Sequence, residues 1–384
     1  MVFSSITFLF YFLPIFLLIY HLTPISRRNV ILLAGSILFY AWGAPKFIFV
    51  ILGSTFVDYH LVKEMHKSTK EKKRKRLLFL SIFLNLGLLA YFKYANFFVE
   101  NLNYIIEYLG FKSQAWTTVV LPIGISFYTF QTLTYSIDIY KKIHAPLEKI
   151  SDYMLYILSF PQMIAGPIVR YQSIASQLVS REEKVDDKLM GFYRFSIGLA
   201  KKVLIANAMA EQADLVFESD LSLLSSNAAW IGILAYTFQI YFDFSGYSDM
   251  AIGLGRIFGF RFPENFDTPY ISKSITEFWR RWHMTLGSFM KNYLYIPLGG
   301  SHVLTKRRLF FNLWIVFLLS GLWHGAAWNF IIWGAYHGLF LILDRLFLKR
   351  FLQTMGRVPS IIFTFIIVMI GWVIFRIEKT NEIK

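Results

Sequence analysis

The sequence predicts an all-α, polytopic integral membrane protein, and three features of its composition support this fold class. Of the 384 residues, 56% are hydrophobic and 19% aromatic, whereas 16% are charged, against roughly 25% in a typical soluble domain. Long apolar runs recur along the whole chain. The net charge of +15 is concentrated in short segments between those runs, as the positive-inside bias requires. These features exclude a soluble globule and a disordered chain, and they make nucleic-acid binding the weaker explanation of the basic charge.

The predicted spans are apolar runs, and a hydrocarbon core about 30 Å thick needs roughly 20 such residues per helix. We expect about ten to eleven crossings, several of them short or broken by Gly or Pro. Gly43-Ala44-Pro45 predicts a tight turn between the second run and the third. The runs are residues 3–22, 30–42, 47–62, 77–98, 119–139, 153–169, 192–210, 228–244, 247–260, 309–323, 327–347 and 361–375.

The orientation in the membrane follows from the charge of the connecting segments. Residues 63–76 form the most basic segment, which we place in the cytoplasm. The 99–118 segment, with few charges, then lies outside, and Lys141 and Lys142 lie inside. The sequence therefore predicts a multi-pass protein of the cytoplasmic (inner) membrane.

Residues 160–167 predict an interruption at membrane depth. Pro161 and Pro167 cannot both lie inside one straight helix, because proline removes a hydrogen-bond donor and clashes with the preceding turn. Irregular backbone is tolerated at that depth only when it is buried in protein or lines a water-filled cavity. We expect a re-entrant element here. The sequence has no repeat of fixed period and no flexible linker, so residues 1–384 predict a single membrane domain.

The absence of cysteine limits the chemistry that the protein can perform. With Cys at 0, neither a thiolate nucleophile nor a zinc–thiolate site is available. Any covalent intermediate would need Ser, Thr, Lys, Asp, Glu or His. No metal site is predicted.

Residues 274–286 predict a short helix with polar ends. Ser274 and Glu277 match a capping box, which marks a helix start, and Gly287 is a plausible end. The helix would have about three turns, too few to cross a bilayer. We therefore expect it to lie at the interface or to dip into the protein.

On that helix Trp279, His283 and Leu286 would share one face, with Arg280 projecting elsewhere. An interfacial anchor with an aromatic residue and a snorkelling arginine explains Trp279 and Arg280. It does not explain His283, which is therefore a candidate functional residue. Trp279 and Arg280 are candidates for binding the substrate or donor.

The strongest single signal is His324, in an apolar run, residues 309–343, without Asp, Glu, Lys or Arg. An ionisable group in such a run is costly and is a functional hypothesis by default. Desolvation disfavours the imidazolium, so the ring is expected to be neutral and able to accept a proton. Gly321 and Gly325 allow a backbone or a ligand to come close. The alternative is a neutral histidine bonded to another helix, or a small-residue packing face.

Trp323 and Trp328 flank the same segment and are candidates for binding the substrate or donor. His337 follows in the next apolar run. On a continuous helix it would face away from His324, so we interpret it as structural.

Residues 239–255 place polar groups in another apolar stretch. Asp243, Ser245, Tyr247 and Asp249 interrupt it, and carboxylates in a membrane segment need partners. These residues are candidates for binding a sugar hydroxyl or for orienting a histidine. The alternative is a helix break in which Asp249 pairs with an arginine such as Arg256 or Arg280. Ser245 does not lie in a G-x-S-x-G nucleophile elbow.

On these residues the chain resembles the membrane-bound O-acyltransferase (MBOAT) family, and within it the branch that acts in alginate O-acetylation. The resemblance covers nearly the whole chain. The Trp-His-Gly element at 323–325, together with the Arg-Trp-His element at 281–283, is its most specific part. The matching segments are residues 1–5, 39–43, 124–127, 161–170, 241–249, 278–283 and 321–325.

The resemblance implies irregular helices around a central funnel, with catalytic His324 and a second functional histidine at His283. It implies a cytoplasmic acyl thioester as donor, acetyl-CoA or another, and no permanently bound cofactor. The acceptor would be an exported polysaccharide, reached with an extracytoplasmic partner acyltransferase. Members of this branch carry further hydrophobic segments after the region that matches residues 371–376, so we expect a form shortened at its C-terminus.

Three functions remain open from the sequence. The leading one is acetyl transfer from a thioester to a polysaccharide hydroxyl, with His324 as general base. A second keeps the family but changes the substrate, to D-alanyl transfer onto teichoic acid or to peptidoglycan O-acetylation. A third is a transporter or flippase with polar residues at the midplane, although the sequence lacks detectable paired halves.

Overall fold

The computed structural model describes residues 2–220 and 224–377, and within these ranges regular structure is entirely helical. The all-α prediction is confirmed. By length and apolar composition, Glu71–Tyr108, Trp328–Met355 and Arg357–Arg376 could each cross a membrane, and Thr7–Leu22 is a shorter apolar helix. The chain is thus a polytopic membrane protein. The number of crossings stays a prediction.

The chain divides into two compact units. The first comprises Met1–Phe195 and Met250–Phe262, and the second comprises Ser196–Asp249 and Pro263–Lys384. Each is described by itself below. That residues 1–384 form one membrane domain remains a prediction.

The helices of the first unit follow most of the predicted apolar runs. The predicted turn at 43–45 is confirmed, because one helix ends at Gly43 and the next begins at Ile48. The helices are α1 (Thr7–Leu22), α2 (Arg28–Gly43), α3 (Ile48–Lys67), α4 (Glu71–Tyr108), α5 (Ile125–Tyr140), α6 (Ile150–Leu158), α7 (Phe160–Met163) and α8 (Tyr171–Val179).

The basic segment 63–76 is mostly helical, not a loop. Helix α3 continues to Lys67 and α4 begins at Glu71, so residues 68–70 alone separate the two helices. Lys, Arg and Glu are good helix formers, and they extend both helices beyond their apolar parts. Helix α4 also continues through residues 99–108, which were predicted as part of an outer loop.

The predicted interruption at 160–167 is confirmed, whereas a re-entrant path of the chain stays a prediction. The chain breaks at Ser159, between α6 and α7, and is non-helical again from residue 164 to 170. Pro161 lies in the first turn of α7, where its missing N–H is harmless. A Cβ at Gly124, whose φ is +76°, would lie 2.8 Å from the Met163 carbonyl oxygen, so the two backbones are closely packed.

Glu183 is a buried carboxylate of the first unit that is fully paired. It accepts a hydrogen bond from the Tyr20 hydroxyl (2.6 Å) and forms ion pairs with Arg28 and with Lys188 (3.2 Å for Lys188). Burial alone would raise the pKa of Glu183, but the Tyr20 hydrogen bond and the charges of Lys188 and Arg28 outweigh it and lower that pKa. Glu183 therefore stabilises this unit in its charged form.

Two helices continue from one unit into the other along the chain. Helix α9 consists of Val185–Ala200, the π-helical segment Lys201–Ala206 and Asn207–Phe217. Helix α10 is Ser226–Ile257, so the two runs predicted at 228–244 and 247–260 are one continuous helix. Within the second unit α9 and α10 pack closely, since a Cβ at Gly246 would lie 2.7 Å from the Gly198 carbonyl oxygen.

The remaining helices of the second unit carry both candidate histidines. A tight hairpin joins α13 and α14, in which a Cβ at Gly321 would lie 2.1 Å from the Phe330 carbonyl oxygen and 3.2 Å from Gly334 Cα. The helices are α11 (Ile275–Arg281), α12 (Met284–Phe289, continuing as π-helix Met290–Tyr295), α13 (Lys306–His324), α14 (Trp328–Met355) and α15 (Arg357–Arg376).

Candidate active site

The predicted helix 274–286 begins as expected but does not run through. The Ser274 hydroxyl accepts a hydrogen bond from the Glu277 N–H (3.1 Å), which confirms the cap. Helix α11 then ends at Arg281, and His283 has φ +45° and ψ +52°, in the left-handed region. The next helix starts at Met284 and continues past Gly287, so the predicted end at Gly287 is also wrong.

Because the chain breaks at His283, the predicted common face of Trp279, His283 and Leu286 is wrong. The Trp279 ring instead lies 5.5 Å from the Trp333 ring and 5.0 Å from the His337 ring, centroid to centroid. Trp279 thus belongs to the aromatic core of the second unit.

The His283 side chain is 1% exposed and points into that unit. Its Nδ1 lies 3.0 Å from the Asn265 Oδ1. The Phe244 ring packs edge-on at 4.7 Å, and the Trp323 ring lies at 6.0 Å. Burial, and secondarily the nearby His324, lower the pKa of His283 well below its ordinary value. The ring is therefore a neutral imidazole at neutral pH.

His324 is the last residue of α13, where the helix ends at the hairpin with α14. The sequence placed it inside one apolar run, but the structure breaks that run between Gly325 and Ala327. Its half-buried ring lies 4.9 Å from the Trp323 ring, 5.0 Å from the Trp333 ring and 5.4 Å from the Phe375 ring. His324 is thus held by three aromatic side chains at a helix end.

The structure brings His283, Trp323 and His324 together. The Trp323 side chain is 7% exposed and contacts both imidazole rings. The two histidines also interact electrostatically. Two imidazoles among aromatic side chains can exchange protons with a hydroxyl, and apolar walls limit the access of competing water.

Gly321 and Gly325 make room for protein and not for a ligand. The backbone of Phe330 and Gly334 occupies the space beside Gly321, and the Phe330 ring occupies the space beside Gly325. Of the explanations offered for these two glycines, close packing against neighbouring protein is the one that the structure shows.

His337 lies on α14, separate from α13, so the argument from a continuous helix does not apply. Its ring is 0% exposed and lies 5.1 Å from the Trp333 ring. Trp333 thus contacts both His324 and His337. The structural role of His337 stays a prediction.

The carboxylates of α10 pair with lysines, not with the arginines that the sequence suggested. Asp249 Oδ2 lies 2.6 Å from Lys201 Nζ, and Asp243 Oδ1 lies 2.8 Å from Lys202 Nζ. Both lysines begin the π-helical segment of α9, and such segments are frequent at functional sites. The expected helix break is also wrong, since α10 is continuous through these residues.

The other candidate binding residues lie in different environments. Ser245 is 2% exposed on α10, and its hydroxyl makes no hydrogen bond within the described residues. Tyr247 is half-buried on the same helix. Arg280 is exposed at the end of α11, and Trp328, 52% exposed, begins α14.

The sequence pattern did not single out Asn265, Lys201 or Lys202. The two lysines carried a usable signal, since they interrupt the apolar run 192–210 and charges inside such runs need partners. Asn265 carried none, because it lies in a polar connecting segment between α10 and α11 where asparagine is ordinary.

Comparison with known proteins decides the family. A model of the MBOAT, membrane-bound O-acyltransferase family matches residues 47–378. The chain belongs to the membrane-bound O-acyltransferase family. It is therefore an O-acyltransferase, and the predicted resemblance is confirmed. The matched range includes His283, Trp323 and His324.

Relatives within the membrane-bound O-acyltransferase family match nearly the whole chain. The chain is 45% identical to a protein named probable alginate O-acetylase AlgI from Azotobacter vinelandii, over 99% of this chain and 76% of the relative. It is 37% identical to a peptidoglycan O-acetyltransferase from Helicobacter pylori, over 100% and 78%. It is 30% identical to a teichoic acid D-alanyltransferase from Bacillus subtilis, over 66% and 68%.

Proposed function

We propose that the chain transfers an acetyl group from a thioester donor toward hydroxyls of an exported cell-surface polysaccharide. One observation carries this proposal. In a member of an O-acyltransferase family, both histidines that the sequence singled out lie against the same buried tryptophan, Trp323. An acyl transfer to an alcohol needs a base beside the attacking oxygen, and imidazoles supply one at neutral pH.

His324 acts as the general base. Its ring takes the proton of the acceptor hydroxyl while the oxygen attacks the thioester carbonyl carbon. A C–O bond forms, the C–S bond breaks, and the leaving thiolate takes the proton back from the imidazolium. A positioned base contributes typically about 10²–10⁴-fold to such a step.

The donor is acetyl-CoA or another acyl thioester that approaches from the cytoplasm. Because the chain has 0 cysteines, the acyl group cannot rest on a protein thiol, and transfer directly to the hydroxyl is the simplest route. The protein resides in the cytoplasmic membrane with its basic segment 63–76 inside, in accord with the positive-inside bias. It needs no resident cofactor and contacts membrane lipid, not nucleic acid.

The acceptor is a polysaccharide, and a partner acyltransferase completes the transfer on the outer side. The relatives named alginate O-acetylase support the polysaccharide, at 45% identity over 99% of the chain. Among the candidate binding residues, Trp323 has the best structural support, because it contacts both imidazoles. Asp243 and Asp249 stay candidates whose carboxylates are already paired with lysines.

Peptidoglycan is the second candidate acceptor. The Helicobacter pylori peptidoglycan O-acetyltransferase matches 100% of the chain, at 37% identity. D-alanyl transfer to teichoic acid has weaker support, because that match covers 66% of the chain. The relatives reported above are all transferases, which gives no support to a transporter.

The test is chemical analysis of the cell envelope in a strain that lacks the gene and carries variants on a plasmid. We expect wild type to restore polymer-linked acetyl ester, and His324→Gln to abolish it at equal membrane abundance. His302→Gln, an exposed histidine of the same unit, is the matched control and should restore the ester. Unchanged acetylation with His324→Gln would exclude His324 as the base. Ester found on peptidoglycan, or D-alanine found on teichoic acid, would show that this polymer, and not the proposed polysaccharide, is the acceptor.

A further inference from the structure

Asn265 is the hub of the hydrogen bonds around His283. It is 1% exposed. Its Oδ1 accepts hydrogen bonds from the Thr285 N–H (3.3 Å) and the Thr285 hydroxyl (2.8 Å), and its Nδ2 donates to the Ser248 hydroxyl (2.9 Å). Its carbonyl oxygen accepts from the Met284 N–H (2.9 Å). Asn265 therefore binds the two residues that follow His283, Met284 and Thr285, through hydrogen bonds.

These bonds fix the tautomer of His283. A backbone N–H can only donate, so the atom that receives the Thr285 N–H must be the oxygen of the amide, not its nitrogen. The His283 Nδ1 lies 3.0 Å from that same oxygen. An amide oxygen can only accept, so Nδ1 must carry the hydrogen. In the neutral ring Nε2 then has a lone pair and no hydrogen.

The Nε2 atom is the part of His283 that is left for chemistry. It is buried and makes no hydrogen bond within the described residues. We propose that Asn265 is a positioning residue, which holds His283 in the Nδ1–H form so that Nε2 accepts a hydrogen bond from a second hydroxyl of the sugar acceptor, beside the hydroxyl that His324 deprotonates. This inference rests on the proposed acyl transfer. It assigns His283 to the alcohol and not to the thioester oxygen, which needs a donor.

The backbone at His283 supports the same role for Asn265. A φ of +45° is unusual for histidine, and a residue persists in this region only where the surrounding structure holds it there. The Met284 N–H bond to Asn265 and the Thr285 bonds fix the two residues that follow. Asn265 thus fixes both the position of the His283 ring and the ring nitrogen that carries the hydrogen.

The groups around the ring leave its tautomer to Asn265. Phe244 and Trp323 pack against it and carry no charge. His324 is the titratable group whose charge acts on it. The packed elements also carry charged side chains. Asp243 and Asp249 on α10 each pair with a lysine, and Arg281 on α11 pairs with Asp267 and Glu277. The others are Arg256 on α10, Glu264 beside Asn265, Arg280 on α11, and Lys306, Arg307 and Arg308 at the start of α13, at the opposite end of that helix from Trp323.

The test uses the full chain, labelled with ¹⁵N-histidine and reconstituted in lipid nanodiscs. The ¹⁵N shifts of the two ring nitrogens report the tautomer directly, and His283→Gln assigns the signals. We expect wild-type His283 in the Nδ1–H form, and Asn265→Ala to give a mixture of tautomers. Asn312→Ala is the matched control, because Asn312 is 0% exposed in the same unit and donates to the carbonyl of Leu298. It should leave the His283 signals unchanged.

Activity and its pH dependence complete the test. Asn265→Ala should lower kcat by about 10²-fold, with little change in the KM for the donor. Asn265→Asp keeps the shape and places a carboxylate against Nδ1–H, which favours the imidazolium, so the acid limb of the pH–rate profile should move to higher pH. This variant also decides the question if Asn265→Ala does not fold.

Wild-type His283 in the Nε2–H form would overturn the proposal, and so would an acid limb that Asn265→Asp leaves in place. The tautomer is measured without any substrate. If wild type shows the Nδ1–H signal of His283 but forms no ester, the proposed reaction is refuted and the role of Asn265 is not.

Discussion

The packing of α13 against α14 gives the prediction that the structure determines most sharply. A Cβ at Gly321 would lie 2.1 Å from the Phe330 carbonyl oxygen, whereas ordinary contacts begin at 3.4 Å. Relief of this overlap in Gly321→Ala needs a separation of about 3.4 − 2.1 = 1.3 Å between the two helices. Overpacking of this kind costs typically about 1–3 kcal/mol.

The same displacement reaches the candidate catalytic residue. His324 follows Gly321 by one turn, at the end of α13, and its ring is held by residues of α14 and α15. A misplacement of about 1 Å can lower a rate by on the order of 10²-fold. We therefore expect Gly321→Ala to lose both stability and about 10²-fold in acyl transfer per folded molecule.

The assay compares thermal unfolding in detergent with ester formation by the folded fraction. Gly87→Ala, in the middle of α4, is the matched control, because nothing lies within 4 Å of its added Cβ. Alanine is the better helix former by roughly 1 kcal/mol, so this variant should be as stable as wild type or more stable. If Gly321→Ala matches wild type in both stability and rate, the close helix contact inferred here does not exist.

Three further outcomes follow from the ion pairs and the predicted orientation. Asp249→Asn removes the carboxylate that pairs with Lys201 and should lower the free energy of unfolding by on the order of 3 kcal/mol. The Lys201→Met/Asp249→Leu double variant should regain most of that loss. Equal melting temperatures of Asp249→Asn and wild type would contradict this. The pKa of Glu183 is lower in the folded protein than its unfolded value of about 4.5. The stabilisation from its charged carboxylate is therefore present above the unfolded pKa and is lost as the pH falls through the folded pKa. Glu183→Gln should flatten the acid side of the plot of stability against pH, and an unchanged slope would argue against the pairing. Because the chain has 0 cysteines, Lys73→Cys and Lys112→Cys give clean labelling sites, and an impermeant maleimide added to intact cells should label the second and not the first; the reverse pattern would invert the orientation.

The sequence predicted the helices well and their ends less well. Apolar runs have to be helical in a bilayer, because every backbone group must be satisfied internally. Helix ends follow other rules. Charged helix formers carried α3 to Lys67 and started α4 at Glu71, inside a segment that was predicted as a loop. Helix α10 is continuous through its polar residues, two of which, Asp249 and Asp243, pair with Lys201 and Lys202.

Part of the candidate site could likewise be predicted from the sequence, and part could not. His324 could be singled out as a candidate, because an ionisable group in an apolar run is a functional hypothesis by default, and its catalytic role stays a prediction. The left-handed backbone of His283 could not be predicted, since local propensity favours a helix through residues 274–286. Tertiary bonds from Asn265, 18 residues before it, override that propensity. Lys201 and Lys202 could have been noticed, because they interrupt the apolar run 192–210. Their pairing with Asp249 and Asp243 could not be predicted, because the lysines lie on another helix.

The most direct measurement is acyl transfer by the purified full chain in liposomes, with acetyl-labelled thioester and a soluble alcohol or oligosaccharide acceptor. Wild type should form labelled ester, and folded His324→Gln should form it about 10²–10⁴-fold more slowly, with His302→Gln unchanged. Labelled ester produced by folded His324→Gln at the wild-type rate would contradict the assignment of His324 as the base.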